Sequence, residues 1–130
     1  MRIKQIKETS LYVHNLELIR HFYEGKLGLP VISISENRHV FFRAGTSVLL
    51  CFVPETTQKE ATLPPHFGGG NQHIAFEVAP KQYSQWHENL KAKNVEIVHE
   101  QEWKNGLRSF YFKDPEENLI EIVPEGIWDY

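Results

Sequence analysis

One order of elements, a strand, a helix and three more strands, is written twice along this chain, and that duplication restricts the fold more than any other feature of the sequence. In the first copy, residues 6–13 (IKETSLYV) alternate as a strand, with Leu11 and Val13 on one face and Glu8, Ser10 and Tyr12 on the other. Asn15 then supplies an N-cap, and Leu16, Ile19, Phe22, Tyr23 and Leu27 recur at helical spacing until Gly28 and Pro30 close the helix. Strands are expected at Val31–Ser35, His39–Arg43 and Ser47–Val53, with turns at Asn37 and Gly45. The second copy opens on GGGNQHIAFEV (residues 68–78), where Ile74, Phe76 and Val78 form the face for a helix and His73, Ala75 and Glu77 point the other way. Pro80 suits a first helical turn, Tyr83, Trp86 and Leu90 make the apolar stripe, and Asn94 takes the left-handed closing position. Val95–His99, Arg108–Lys113 and Asn118–Val123 are the remaining strands, turned by KNG and DPEEN.

The expected fold class is therefore α+β: paired βαβββ modules in a single domain, with module one at residues 1–54, a linker at 55–70 and module two at 71–130. The linker, rich in proline and glycine, reads as exposed and too irregular for an element, and His66 within it as a solvated loop histidine. Its GGG lacks the Lys-Ser/Thr and the helix opening of a phosphate loop.

Superposing the two copies turns the pattern into a site. Counting back five residues from Val13 and from Val78, the ends of the two first strands, reaches Glu8 and His73. At the other end CFVPE (51–55) matches EIVPE (121–125) in its last three residues, which sets Cys51 against Glu121. All four are expected on the faces away from the helices, where sheets related by a pseudo-twofold axis would bring them to one cup. Two carboxylates and an imidazole make a first shell for a divalent metal, whose charge offsets their mutual repulsion. By the same parity Ser109 and Tyr111 face the metal, and Tyr111 offers a hydroxyl donor to a developing oxyanion. His39, Phe41 and Arg43 hold the equivalent strand; Arg43 or Arg108 is a candidate for a substrate anion, and Trp103 for closing the pocket.

Composition narrows the partners. A formal charge of -3 with mixed signs gives no basic stripe for nucleic acid and no polybasic arm for membrane. The single cysteine, Cys51, cannot form an internal disulfide, MRIKQIKE lacks a secretory apolar core, and no apolar run approaches the roughly 20 residues that span a bilayer. Cytoplasmic residence is the expectation.

Three blocks, ETSLYVHNLELIRHFYEGKLGL, GNQHIAFEV and RSFYFKDPEENLIEIV followed by GIW, resemble the vicinal oxygen chelate superfamily, which includes glyoxalase I, bleomycin-resistance proteins, fosfomycin-resistance thiol transferases and type I extradiol dioxygenases. The resemblance implies a cup-shaped half-barrel of paired modules around one divalent metal ion (Zn, Ni, Mn, Mg or Fe), a homodimer, and a small-molecule substrate with vicinal oxygens. It places the metal ligands at Glu8, His73 and Glu121. Glu8 stands where His or Gln is common, which makes the donor set harder than the two-His, one-carboxylate triad of iron dioxygenases. Cys51 stands where glyoxalase I carries a fourth ligand, and a buried small hydrophobe is its ordinary role in SVLLCFV. The expected function is a glyoxalase-like lyase or isomerase in which Glu121, then Glu8, is the base and Tyr111 a donor. The alternatives are a metal-free bleomycin-resistance-type drug-binding protein and an extradiol-type dioxygenase.

Overall fold

The computed structural model describes residues 1–129. The chain divides into two compact units, Met1–Gly70 and Asn71 onward. Unit one runs β1 (Glu8–Tyr12), α1 (Leu16–Arg20) extended by a π-helical turn (His21–Lys26), β2 (Val31–Ser35), β3 (His39–Ala44), β4 (Ser47–Phe52) and α2 (Pro54–Thr57). Unit two runs β5 (His73–Val78), a 3₁₀ turn (Pro80–Gln82) leading into α3 (Tyr83–Ala92), β6 (His99–Glu102), β7 (Arg108–Lys113) and β8 (Leu119–Pro124). Each unit carries one open four-stranded sheet, in the order β1-β4-β3-β2 and β5-β8-β7-β6. The pairs β1/β4 and β5/β8 are parallel and the rest antiparallel, so the doubled βαβββ pattern is realised as an α+β fold. Among the described residues no helix is long and apolar enough to cross a membrane.

In unit one, Leu11, Val13, Val40, Phe42, Leu49 and Cys51 form the buried sheet face under Ile19, Phe22, Tyr23 and Leu27. The first helix departs from a plain α-helix: the Leu27 N–H reaches the Phe22 carbonyl, five residues back, at 3.1 Å. Adjacent α-helical residues point about 100° apart. Widening the turn lets the neighbouring Phe22 and Tyr23 both face the sheet, edge to face with ring centres 5.1 Å apart. In unit two, Phe110, Phe112, Ile120 and Ile122 pack with Leu90 and Val95.

Three expectations need correction. The linker is not wholly irregular: it opens with one helical turn, Pro54–Thr57, and the buried Thr57 accepts the His66 N–H at 3.2 Å, folding the segment back on unit one. The sixth strand is His99–Glu102, not Val95–His99. Asn94 closes α3 at φ 63, and the Val95 N–H bonds the Leu90 carbonyl at 2.9 Å, so Val95 becomes the apolar residue of a Schellman closure and is lost to the ladder. Finally, Cys51 is not the counterpart of Glu121. Cys51 pairs with Leu11 and Val40 on the helix side and is 0% exposed. Leu50, paired with Ser10 and Phe41, occupies the place that Glu121, paired with Ala75 and Tyr111, has in unit two. Between the equivalent pairs Arg43/Val48 and Lys113/Leu119 the chain runs four residues in unit one and five in unit two, and a slip of one residue turns a strand's side chains to its other face.

Candidate functional site

The face of sheet two away from α3 is where titratable groups gather. His73 starts β5, and its Nδ1–H donates to the Leu119 carbonyl at 2.9 Å, since a carbonyl can only accept. That bond fixes the tautomer and leaves the Nε2 lone pair 3.3 Å from Oε1 of Glu121. Glu121 is held by the central ladder of β8, its side chain only 9% exposed. Two acceptors at that separation repel unless a positive charge lies between them, either a proton on Nε2 or a metal cation. The donor set thus fits two positions of a divalent ion, one nitrogen and one oxygen, with the histidine oriented from behind as metal-binding histidines commonly are.

Tyr111 is paired directly opposite Glu121, and its ring lies 6.0 Å from that of His73. Burial, above all, pushes its hydroxyl above the ordinary phenol value; a hydrogen bond with Ser109 lowers it in part, and the Glu121 carboxylate raises it again. The phenol therefore stays a proton donor across the neutral range. Ser109 is fully buried and receives the indole N–H of Trp103 at 2.9 Å, which lays Trp103 along this face. Arg108, of opposite parity, faces the helix side and lies 3.5 Å from Glu100. The grooves of 710 and 480 Å³ in unit two, lined among others by His87, Glu100 and Arg108, include neither His73, Tyr111 nor Glu121.

The corresponding face of unit one is aromatic. Glu8 begins β1, exposed, opposite Val48, at the position His73 holds opposite Leu119. Beyond it Phe52 is edge-on to Phe41 at 5.2 Å and to His66 at 4.7 Å, and the Tyr12 hydroxyl is 2.7 Å from Nδ1 of His66. His66, expected as a solvated loop residue, is therefore pinned. Gly68 lies so close that a Cβ there would come within 2.8 Å of the Tyr12 ring. His39 stacks on Phe41 at 3.8 Å; Arg38, itself bound to Glu60, donates to Nδ1, so Nε2–H donates to the Ser33 hydroxyl at 2.9 Å. Burial first, then the Arg38 charge, lowers the pKa of His39, with a partial offset from Glu60.

Of the residues proposed from sequence, the structure brings His73, Glu121 and Tyr111 together within unit two and places Glu8 in unit one. Among the described residues, no group of three or more His, Cys, Asp or Glu side chains is arranged to hold a metal ion. Sequence reasoning misses His99, which it places at the end of a strand over Val95–His99. It heads β6, directly opposite Tyr111, with ring centres 5.7 Å apart. The signal was Asn94, whose closing motif consumes Val95 and shifts the strand.

Paired βαβββ modules, each with one open four-stranded sheet, define the class of fold. The family model of the Glyoxalase/Bleomycin resistance protein/Dioxygenase superfamily matches residues 5–122, and the chain belongs to that superfamily. It is similar to the crystal structure of lactoylglutathione lyase from Agrobacterium tumefaciens, at TM-score 0.95 and 27% identity over 100% of both chains. It shares its fold with a putative glyoxalase family protein from Bacillus anthracis (TM-score 0.72, 20% identity, 95% of this chain and 97% of that one). The same holds for a glyoxalase/bleomycin resistance protein/dioxygenase from Nocardioides (0.74, 20%, 95% and 85%).

Proposed function

We propose that this protein is a divalent-metal-dependent lyase or isomerase of glyoxalase type, acting on a small substrate with adjacent oxygens. The observation that carries the proposal is the orientation of His73, whose Nδ1–H is committed to the Leu119 carbonyl so that Nε2 faces Glu121 across 3.3 Å. His73 and Glu121 supply two donors, and Glu8 is assigned as the third from its matching strand position in unit one. Bound there, the ion supplies Lewis acidity toward substrate oxygens.

The chain's own groups do the rest. The Leu119 carbonyl holds the imidazole in one orientation, so His73 loses little freedom on binding. Glu121, largely removed from water, is the base for a substrate C–H proton, and Glu8 is the second candidate. Tyr111, kept protonated, donates to negative charge developing on a substrate oxygen. The proposal includes a homodimer, to be checked by sedimentation, and residence in the cytoplasm.

The likeness to lactoylglutathione lyase makes lactoylglutathione the first substrate to try. Glu121→Gln is expected to lower kcat on it by about 10² to 10⁴-fold. Full activity of that variant removes Glu121 from the chemistry. A second reading, metal-free drug binding, draws on the aromatic face of Tyr12, Phe41 and Phe52. It predicts binding of a planar cationic drug that chelator leaves unchanged. The extradiol alternative predicts oxygen uptake with a catechol.

A further inference from the structure

Isomerising an α-hydroxy thioester such as lactoylglutathione moves two protons, one between adjacent carbons and one between the oxygens they carry. A single carboxylate at Glu121 serves the first. We propose that His99 is the second proton-transfer group of this site, carrying the oxygen-bound proton while Glu121 carries the carbon-bound one. This rests on the glyoxalase-type function proposed above.

The ladder sets Glu121, Tyr111 and His99 side by side on consecutive strands, β8, β7 and β6, all on the face away from α3. Neighbouring strands are about 4.8 Å apart, so the backbones of Glu121 and His99 are separated by roughly 10 Å with the Tyr111 ring between them. Two side chains reaching inward across that width flank a two-carbon unit and its oxygens. Tyr111 touches both imidazoles, at 6.0 Å from the His73 ring and 5.7 Å from the His99 ring.

The tautomer of neutral His99 is also fixed. Gln101 donates its amide N–H to the Glu102 carbonyl at 3.0 Å, which turns Oε1 toward His99. Nε2 of His99, 3.0 Å from that oxygen, must then be the N–H donor, and Nδ1 carries the lone pair. His99 is exposed, so a proton held there exchanges with water.

In the step itself Glu121 removes the carbinol C–H proton, the C–H electron pair becomes a carbon–carbon double bond, and the carbonyl π pair moves onto the thioester oxygen. Nδ1 of His99 takes the carbinol O–H proton as that oxygen becomes the new ketone. Glu121 returns its proton to the former acyl carbon, and His99 gives its proton to the oxygen there. The product is a hemithioacetal isomer of the reactant, and both residues end as they began.

His99→Ala and Glu121→Gln are assayed side by side on lactoylglutathione with the metal-loaded protein. His99→Ala should lose about 10²-fold in kcat with little change in KM, and added imidazole should restore part of the rate. Wild-type kcat in His99→Ala beside an inactive Glu121→Gln overturns the role of His99 and leaves the parent function standing. A fully active Glu121→Gln overturns both. A readout free of turnover comes from ¹⁵N spectra of the metal-free protein: the Nε2–H tautomer of His99 is expected, and an Nδ1–H tautomer removes the acceptor that the step requires.

Discussion

The two units share a ladder and differ in what they hang on it. Where unit two has Glu121 between Ala75 and Tyr111, unit one has Leu50 between Ser10 and Phe41. Where unit two has the imidazole of His73 beside Glu121, unit one has the exposed carboxylate of Glu8. Unit one has filled its face with rings, Tyr12, Phe41, Phe52, His39 and His66, while unit two keeps a row of groups able to hold or move protons. The duplicated scaffold thus carries a mostly aromatic face in one copy and a row of titratable groups in the other. The helix-facing cores, which neither task touches, keep the same pattern of leucine, isoleucine, valine and phenylalanine.

The largest effect should come from making unit two resemble unit one. Glu121→Leu is expected to lower turnover by about 10² to 10⁴-fold without lowering Tm, because it removes a carboxylate from a site with little water. A clear drop in Tm would mean that Glu121 serves the fold. The counterpart, Leu50→Ala, removes a side chain only 8% exposed and should cost about 2 to 5 kcal/mol in urea unfolding. A cost near zero would show that this position, too, is free of packing.

Smaller effects sharpen the aromatic side. Gly68→Ala brings a methyl within 2.8 Å of the Tyr12 ring and should destabilise by about 1 to 3 kcal/mol, read from the urea midpoint. The smallest is a pH effect. With its pKa lowered by burial and by Arg38, against Glu60, folded His39 binds fewer protons than unfolded His39 as pH falls below about 6.5. Stability should therefore be level in this respect above that value and decline below it toward the folded pKa. His39→Gln should flatten this slope, and an unchanged slope would assign the decline to other groups.

Much of the fold was legible because its signals are local. Asn15, Gly28, Gly45 and Asn94 mark ends and turns whatever the tertiary structure does, and β2 and β7 fall where alternation places them. The shared face of His73, Glu121 and Tyr111 was legible through the internal repeat and strand parity. What escaped depends on register and on competition for backbone groups. The repeated VPE invited an alignment one residue out of step, which put Cys51 on the wrong face and hid Leu50 as the true counterpart of Glu121. Val95 is as good a strand residue as any, but helix closure claims its N–H first, and with that shift His99 enters the row beside Tyr111. No spacing rule distinguishes the π turn at His21–Lys26 from the α-helix that precedes it.

Elemental analysis of the purified protein beside Glu121→Gln and Cys51→Ala tests the chelate assigned to His73 and Glu121 most directly. One divalent ion per chain is predicted in the parent and in Cys51→Ala, whose side chain faces the helix, and a loss of most of it in Glu121→Gln. Equal metal content in the parent and Glu121→Gln, or loss in Cys51→Ala instead, would contradict the account.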